Sequence, residues 1–433
     1  MSFSTPVATC PSLVRDVADD FQDLLGANYS AFVACLCGAV FGIRSFSDIV
    51  RFLLFSPSVS TLSRLFQTPD LFEKLNRRHR RRILRCMDLV NKDPARFLWA
   101  IDDTLIPREG REIWGTYTWH DHNTKGYIFG HKWLVLGLVD RRRRILIPVC
   151  WEILHREDKE NKNTPHRKGW EVALDLIDKA HGGGFPRLMV VADSWFAGLE
   201  FFNALDSRGL GFVIETKSNR RIVAAGRQPH LDCSVEEVFK HHPRKKITHL
   251  SRPKWAACAN LLFRGSKARL RVVAVANKKG LAHDCFAYYV CNRLAQGGAE
   301  IWRIARDRWS IEVQFRELKQ LFALGGAAVR SKEAVETSIS LSVIALTSIR
   351  LEQLQRVDAN ENQYVQPIPA GIIVNEIRLN SMRGCILALV NKESTREKCA
   401  RRLRHENFGQ KPTEAGKKPR ISFRTLRQDK IAS

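Results

Sequence analysis

Three acidic positions lie far apart in the chain and are of types that could do chemistry together. Phe97-Leu98-Trp99-Ala100-Ile101 is a short apolar run ending in Asp102-Asp103-Thr104. Arg187-Leu188-Met189-Val190-Val191-Ala192 is another, terminating in Asp193. Both read as buried strands with acids at their ends. A carboxylate there is costly unless it is paired or binds a cation. Two strands of one sheet can bring such ends together, and hard oxygen ligands at a sheet edge suit Mg²⁺ or Mn²⁺. By themselves, the two ends also fit a solvated sheet edge.

The third position is Glu312, in the segment Arg306-Asp307-Arg308-Trp309-Ser310-Ile311-Glu312-Val313-Gln314-Phe315-Arg316-Glu317-Leu318-Lys319. With Glu312 at angle zero and about 100° per residue, Arg308 falls at about −40° and Lys319 at about −20°, on one stripe. Ile304, Ile311, Phe315, Leu318 and Phe322 fall between about −60° and −120°. The acid therefore borders the buried face and should sit at the rim of the packed surface. An ordinary solvated helix face carries Arg, Glu and Lys at similar spacings.

The elements that must position these residues follow from the rest of the chain. With 433 residues and 44% hydrophobic content, the chain can bury a sizeable core, which excludes wholesale disorder. Lys plus Arg number 70 against 45 Asp plus Glu, a formal charge of +25, so a polyanion is the expected partner. An anionic membrane is the weaker choice. The longest apolar run, Ala31 to Ile43, is shorter than the about 20 residues a spanning helix needs. It reads as a buried core helix. The N-terminus lacks the basic start and apolar stretch of a signal peptide. The 11 cysteines are scattered without a CxxC pair, which points to free thiols in a reducing cytosol and away from structural zinc.

Residues 11–95 read as helical, with Leu13, Val17, Phe21 and Leu24, then Leu62, Leu65 and Phe66, at helical steps. The cluster Arg77-Arg78-His79-Arg80-Arg81-Arg82 lies on the last of these helices, as a solvated face or a phosphate-contacting one. His131–Val139 and Ile145–Trp151 read as a hairpin turning at Asp140 and Arg141–Arg144. A polar loop, Glu152–Gly169, leads to a helix over Trp170–His181 ended by Gly182-Gly183-Gly184. Gly211–Thr216 is a fifth strand. Lys217–Gly297 is basic and strand-like at Leu270–Ala276 and Phe286–Cys291, a β-rich insertion. Ala299–Phe322 is expected as one long helix and Lys332–Val357 as another. The tail from Ser394 carries Arg401-Arg402-Leu403-Arg404 and Lys417-Lys418-Pro419-Arg420, a pattern drawn to phosphate.

Together, the Asp-Asp-Thr motif, the strand-borne Asp193, the basic β insertion and Arg308-(three)-Glu312-(six)-Lys319 resemble the catalytic core of DDE transposases. The nearest group is the insertion-sequence-four family. Its signature reads Tyr, two residues, Arg, three residues, Glu, six residues, Lys. Arg308, Glu312 and Lys319 match it, and the Tyr position falls on Ala305. The resemblance covers roughly Phe97 to Leu351. It implies an α/β protein: a ribonuclease-H-like mixed sheet flanked by helices, with a β-rich insertion and an N-terminal helical domain. The expected division is 1–96 helical and DNA-end-binding, 97–216 core, 217–297 insertion, 298–357 core, and 358–433 helical segment with basic tail.

The resemblance further implies Asp103, Asp193 and Glu312 as the metal-binding triad, with Asp103 preferred to Asp102 because the family acid directly precedes Thr. Arg308 and Lys319 would hold DNA phosphate. The implied enzyme is the transposase of a bacterial insertion sequence, cytoplasmic and nucleoid-associated. It would cut terminal inverted repeats and join them to target DNA with two Mg²⁺ ions (Mn²⁺ substituting), as a homodimer on double-stranded DNA. The alternatives are a non-catalytic DNA-binding derivative and a metal-dependent nuclease without strand transfer.

Other features have ordinary readings. His120-Asp121-His122 with His131 could ligate a transition metal but more simply hydrogen-bond or face phosphate. Trp195 packs in the core or stacks a base, and Trp255 has a similar choice. Cys35 and Cys37 belong to the core. Asp140 with Arg141–Arg144 is a basic turn.

Overall fold

The computed structural model describes residues 10–391 and 397, apart from 55, 89–92, 111, 122–123, 157–166, 226–227, 241, 248–252, 278–284 and 359–367. Most of the basic tail therefore lies outside the described residues.

The chain begins with helices α1 (Ser12–Asp19), α2 (Gln22–Leu25), α3 (Tyr29–Phe41), α4 (Phe46–Phe52), α5 (Val59–Phe66) and α6 (Leu71–Met87). The apolar run forms α3, buried on nearly every side. Ser45 and Ser58 start α4 and α5 by accepting the backbone N–H of Asp48 and Thr61. On α6 the residues at steps of four, Leu71, Leu75, His79, Ile83 and Met87, face inward. Its basic cluster is largely tied down within the protein. Arg78 bonds Asp23 and the Asp20 carbonyl, and Arg82 and Arg85 both pair with Asp20. Arg77 and Arg81 remain exposed.

The sheet follows: β1 (Phe97–Pro107), β2 (Tyr117–Asp121), β3 (Gly126–Asp140), β4 (Ile145–Leu154), α7 (Gly169–Gly182), β5 (Met189–Ala192), α8 (Leu199–Ser207) and β6 (Phe212–Thr216). β4 pairs antiparallel with β3, and β3 with β1. β1 and β5 are parallel, as are β5 and β6. The order β4-β3-β1-β5-β6, with β3 alone reversed, is a ribonuclease-H-like mixed sheet. Helices cover both faces. Trp99, Ile101, Val190 and Ile214 pack with α7 and α8 on one side. Leu98, Ala100, Val191 and Trp133 pack with the later helices on the other.

The segment after β6 supplies β7 (Arg221–Ala225), β8 (Gln228–Ser234), α9 (Val235–Phe239), β9 (Lys245–Lys246), β10 (Trp255–Phe263), β11 (Leu270–Ala276) and β12 (Cys285–Cys291). These strands extend the core sheet, because β12 pairs antiparallel with the free edge of β6. Helices α10 (Gly298–Asp307), α11 (Trp309–Leu321), α12 (Lys332–Asp358) and α13 (Ala370–Asn391) follow among the described residues. Helix α12 is apolar enough by composition to cross a membrane, but 94% of that stretch is buried inside the protein. Its apolarity is that of a core helix.

Two local expectations are corrected. The helix expected over 299–322 is two, broken at Arg308. β1 does not stop at the acids: it runs on to Pro107 because β3 continues to pair with it that far.

The helical layer is fastened to the sheet by His79, which is fully buried with Nε2 2.9 Å from the Pro148 carbonyl oxygen. Burial holds this imidazole down at about 4. The unfolded chain takes up the proton near pH 6.5, while the folded chain refuses it until about pH 4. Its contribution is thus complete above pH 6.5 and is lost as pH falls toward 4. We expect urea melts at pH 7 and pH 4.5 to show a larger acid loss for wild type than for His79→Gln. The difference should be about 2 kcal/mol; equal losses would refute this role for His79.

Candidate active site

Strand β1 has unequal neighbours. Its antiparallel pairing with β3 spans Phe97 to Pro107, whereas its parallel pairing with β5 covers only Leu98 to Ile101. Asp102 is the first residue beyond the end of β5. In the parallel register Ile101 lies beside Ala192, and Ala192 beside Ile214. One step further on, Asp102, Asp193 and Glu215 fall in a row across β1, β5 and β6. Asp193 keeps an extended backbone, so the row is not broken there. Side chains alternate faces, and neighbours in parallel register share one. Ala100, Val191 and Val213, two residues back, all belong to the core under the later helices, so the three acids face that side. Adjacent strands stand about 4.8 Å apart, which sets the spacing of the row.

Glu312 comes to the row from α11, which runs along β1. Trp133 of β3 packs against Phe315, with ring centroids 5.9 Å apart. Two more ties fix this helical pair. The Arg350 guanidinium of α12, nearly buried, lies 2.5 Å from Glu317. The β3–β4 turn holds α10, where Arg141 bonds Asp307 at 2.8 Å and Glu300 at 2.9 Å. That turn is itself organised by buried Asp140, which pairs with Arg96 and accepts the backbone N–H groups of Arg142 and Arg143. The sequence left this stretch as a plain basic turn; its part is to hold the helix that leads into Glu312.

Arg308 occupies the centre. One guanidinium nitrogen donates to Asp102 at 2.7 Å and another to Glu312 at 2.9 Å. Burial opposes its charge, and Asp102, Glu312, Asp193 and Glu215 together more than restore it. Lys319, on the same helical stripe, donates to the Thr104 hydroxyl at 2.7 Å. Burial lowers the Lys319 ammonium, with Asp121 pulling the other way. Burial, then neighbouring Asp193, push Asp102 up to about 8 against the pull of Arg308. Glu215 is also raised, by burial first, with Arg308 opposing and Asp193 and Glu312 adding to the rise.

The structure thus brings Asp193, Glu312 and Arg308 together and sets Lys319 beside them along β1. It separates Asp102 from Asp103. Asp103 faces the opposite side of the sheet, 3.4 Å from Lys132, whose ammonium lies 3.8 Å from the Trp195 ring centroid. Glu215 was not singled out by the sequence, since a strand end in Glu-Thr-Lys has no motif. Its only signal was the end of a fifth apolar strand, the pattern that marked Asp102 and Asp193.

Clustered carboxylates at strand ends are a hard-oxygen donor set that fits a divalent cation such as Mg²⁺. As the side chains stand, no three His, Cys, Asp or Glu among the described residues converge into a closed cage. The Arg308 guanidinium separates Asp102 from Glu312. Beside it opens a cleft of about 680 Å³ whose walls include Glu215, Tyr289, Trp302, Ala305 and Arg308. Ala305 at the signature's Tyr position leaves that wall open.

The remaining candidates take structural roles. His131 is buried, with Nδ1 accepting from Arg108 and Nε2 donating to the Trp114 carbonyl, and burial lowers it to about 4. His122 lies outside the described residues, and His120 packs edge-on against Tyr127. Phe196 is buried, while Trp195 is half exposed with its ring against Gly169. A Cβ at Gly169 would lie 2.2 Å from that ring, so a larger residue there would have to displace Trp195. Trp255 opens β10, opposite Lys246 and Ala276. Cys35 and Cys37 are buried in α3.

Residues 34–273, more than half the chain, match the family described as DDE superfamily endonuclease. The match contains Asp102, Asp103, Asp193 and Glu215 and ends before Glu312. Among solved structures the chain is similar to a piggyBac transposase synaptic complex with hairpin DNA, determined by cryo-EM. That likeness has a TM-score of 0.45 and 12% identity, over 87% of this chain and 76% of the other. No curated protein matches the sequence.

The Lys319–Thr104 contact is testable without any assay of function. Thr104→Val leaves the half-buried ammonium without this acceptor and should cost about 1–3 kcal/mol in a denaturant melt. Thr104→Ser should stay near wild type. If both variants melt alike, the contact contributes nothing to stability.

Proposed function

The chain belongs to the DDE superfamily endonucleases, and on that premise we propose that it is an insertion-sequence transposase. It cuts DNA at terminal inverted repeats and joins the freed ends to a target. The reading is carried by the meeting of Asp102, Asp193 and Glu312, drawn from three distant segments, around Arg308. The charge of +25 fits a nucleic-acid substrate. The Arg308-Glu312-Lys319 spacing supports the insertion-sequence-four group, and the scattered free thiols support work on the nucleoid of a bacterial cytoplasm.

Two divalent ions, Mg²⁺ or Mn²⁺, would supply an activated oxygen nucleophile and offset charge on the leaving oxygen. Asp102, Asp193 and Glu312 would hold them; Asp103, favoured by the motif, faces away, so we assign the first ligand to Asp102. Arg308 and Lys319 bind phosphates and keep the scissile bond in line. Water attacks first and frees a 3′-hydroxyl. The same residues then align that hydroxyl with a second strand. The N-terminal helices, the inserted strands and the basic tail bind the transposon ends.

Bringing two ends together calls for two copies of the chain. The apolar row Ile372, Leu379 and Ile386 supports such pairing: it lies exposed at seven-residue spacing along α13.

The test is a supercoiled plasmid carrying the cognate ends, incubated with protein and Mg²⁺. Joined products support transposition. Nicks alone support a nuclease without strand transfer, and a salt-sensitive gel shift without cutting supports a DNA-binding derivative. Asp193→Ala and Asp102→Ala should each lower cleavage at least about a hundredfold while leaving end binding largely intact. Asp103→Ala should keep most of it; the reverse ranking of the two β1 acids would return the assignment to Asp103. Leu379→Glu with Ile386→Glu should reduce the dimer fraction in light scattering of the DNA complex. An unchanged mass would remove α13 from the interface.

A further inference from the structure

We propose that Arg308 is a resident counter-cation that divalent ions must displace from Asp102 and Glu312, and that Glu215 is the group that receives it. This inference rests on the metal-dependent reading above. Asp102 comes from the sheet and Glu312 from the helix facing it, and each is held by a different nitrogen of one guanidinium. Two carboxylates held apart by a fork of donors cannot also close on one small ion. Among the described residues no closed cage of three acids is formed.

The displaced guanidinium needs a nearby acceptor, because a half-buried charge without a partner is costly. In the DNA-free protein, before a phosphate can take up the guanidinium, Glu215 meets this need. It ends the carboxylate row on β6 and lines the same open cleft as Arg308 and Tyr289. Its charge already acts on Arg308, and Arg308 acts on it. The cleft leaves room for the side chain to swing, because Ala305 lines it where the signature has a tyrosine.

The experiment is Mn²⁺ titration of the full-length protein by calorimetry, with free Mn²⁺ followed by electron paramagnetic resonance. Arg308→Ala should bind Mn²⁺ more tightly than wild type. Glu215→Gln should bind about tenfold more weakly in the wild-type background and show no loss in the Arg308→Ala background. Arg308→Gln serves in its place if the alanine variant does not fold. An equal loss from Glu215→Gln in both backgrounds would make Glu215 a direct ligand or a bulk charge and overturn the relay. So would weaker Mn²⁺ binding on removal of Arg308. Wild-type protein that binds no Mn²⁺ would overturn the metal-dependent reading itself, and this inference with it.

Discussion

The site depends on a mismatch of strand lengths. β1 is paired along its whole length on one edge and for only four residues on the other. Where β5 stops, the next residue of β1 loses a neighbour but keeps a rigid backbone. A carboxylate at that point is buried like a core residue yet has no strand beside it on that edge. Parallel register then repeats the arrangement, because β6 also runs past the level at which β5 stops. Asp102, Asp193 and Glu215 form a row as a consequence of pairing.

The price of such a row is like charge in a poorly solvated place, visible in the raised Asp102 and Glu215. Arg308 meets it from the junction of α10 and α11, joining one acid of the sheet to one of the helix. The α10–α11 pair that brings Glu312 is in turn held by an ion pair to each helix, from Arg141 of the β3–β4 turn to Asp307 of α10 and from Arg350 of α12 to Glu317 of α11. Much of the basic composition is used in this way inside the protein. Several arginines of α6 and of the β3–β4 turn pair with neighbouring acids, so the excess charge available to a polyanion is less concentrated than the runs of arginine suggest.

The insertion shows how an added segment can be absorbed. β12 returns to the edge of β6, so the inserted strands continue the sheet without founding a new layer. An exposed β6 edge would carry unpaired backbone groups, and the insertion covers it. The same placement sets Tyr289 across from Glu215 in the register and gives the cleft one of its walls.

The sequence by itself determined most strands and helices of the core and two of the strand ends that carry acids. Apolar runs and their periodicity are local, so the β3–β4 hairpin, α7, β5, β6 and α12 were legible to within a few residues at each end. The stripe of Arg308, Glu312 and Lys319 was legible for the same reason: helical phase is fixed by spacing. What only the tertiary structure decided is which of two adjacent aspartates faces the helix. Successive side chains on a strand point to opposite sides, and the side that becomes the site depends on where β5 stops and where α11 packs. Motif spacing carries neither fact. Glu215 was hidden for the same cause, since it joins the other acids through register between strands far apart in the chain. The break at Arg308 was hidden too: the bonds that residue makes reach across 206 positions, to Asp102, as well as four, to Glu312.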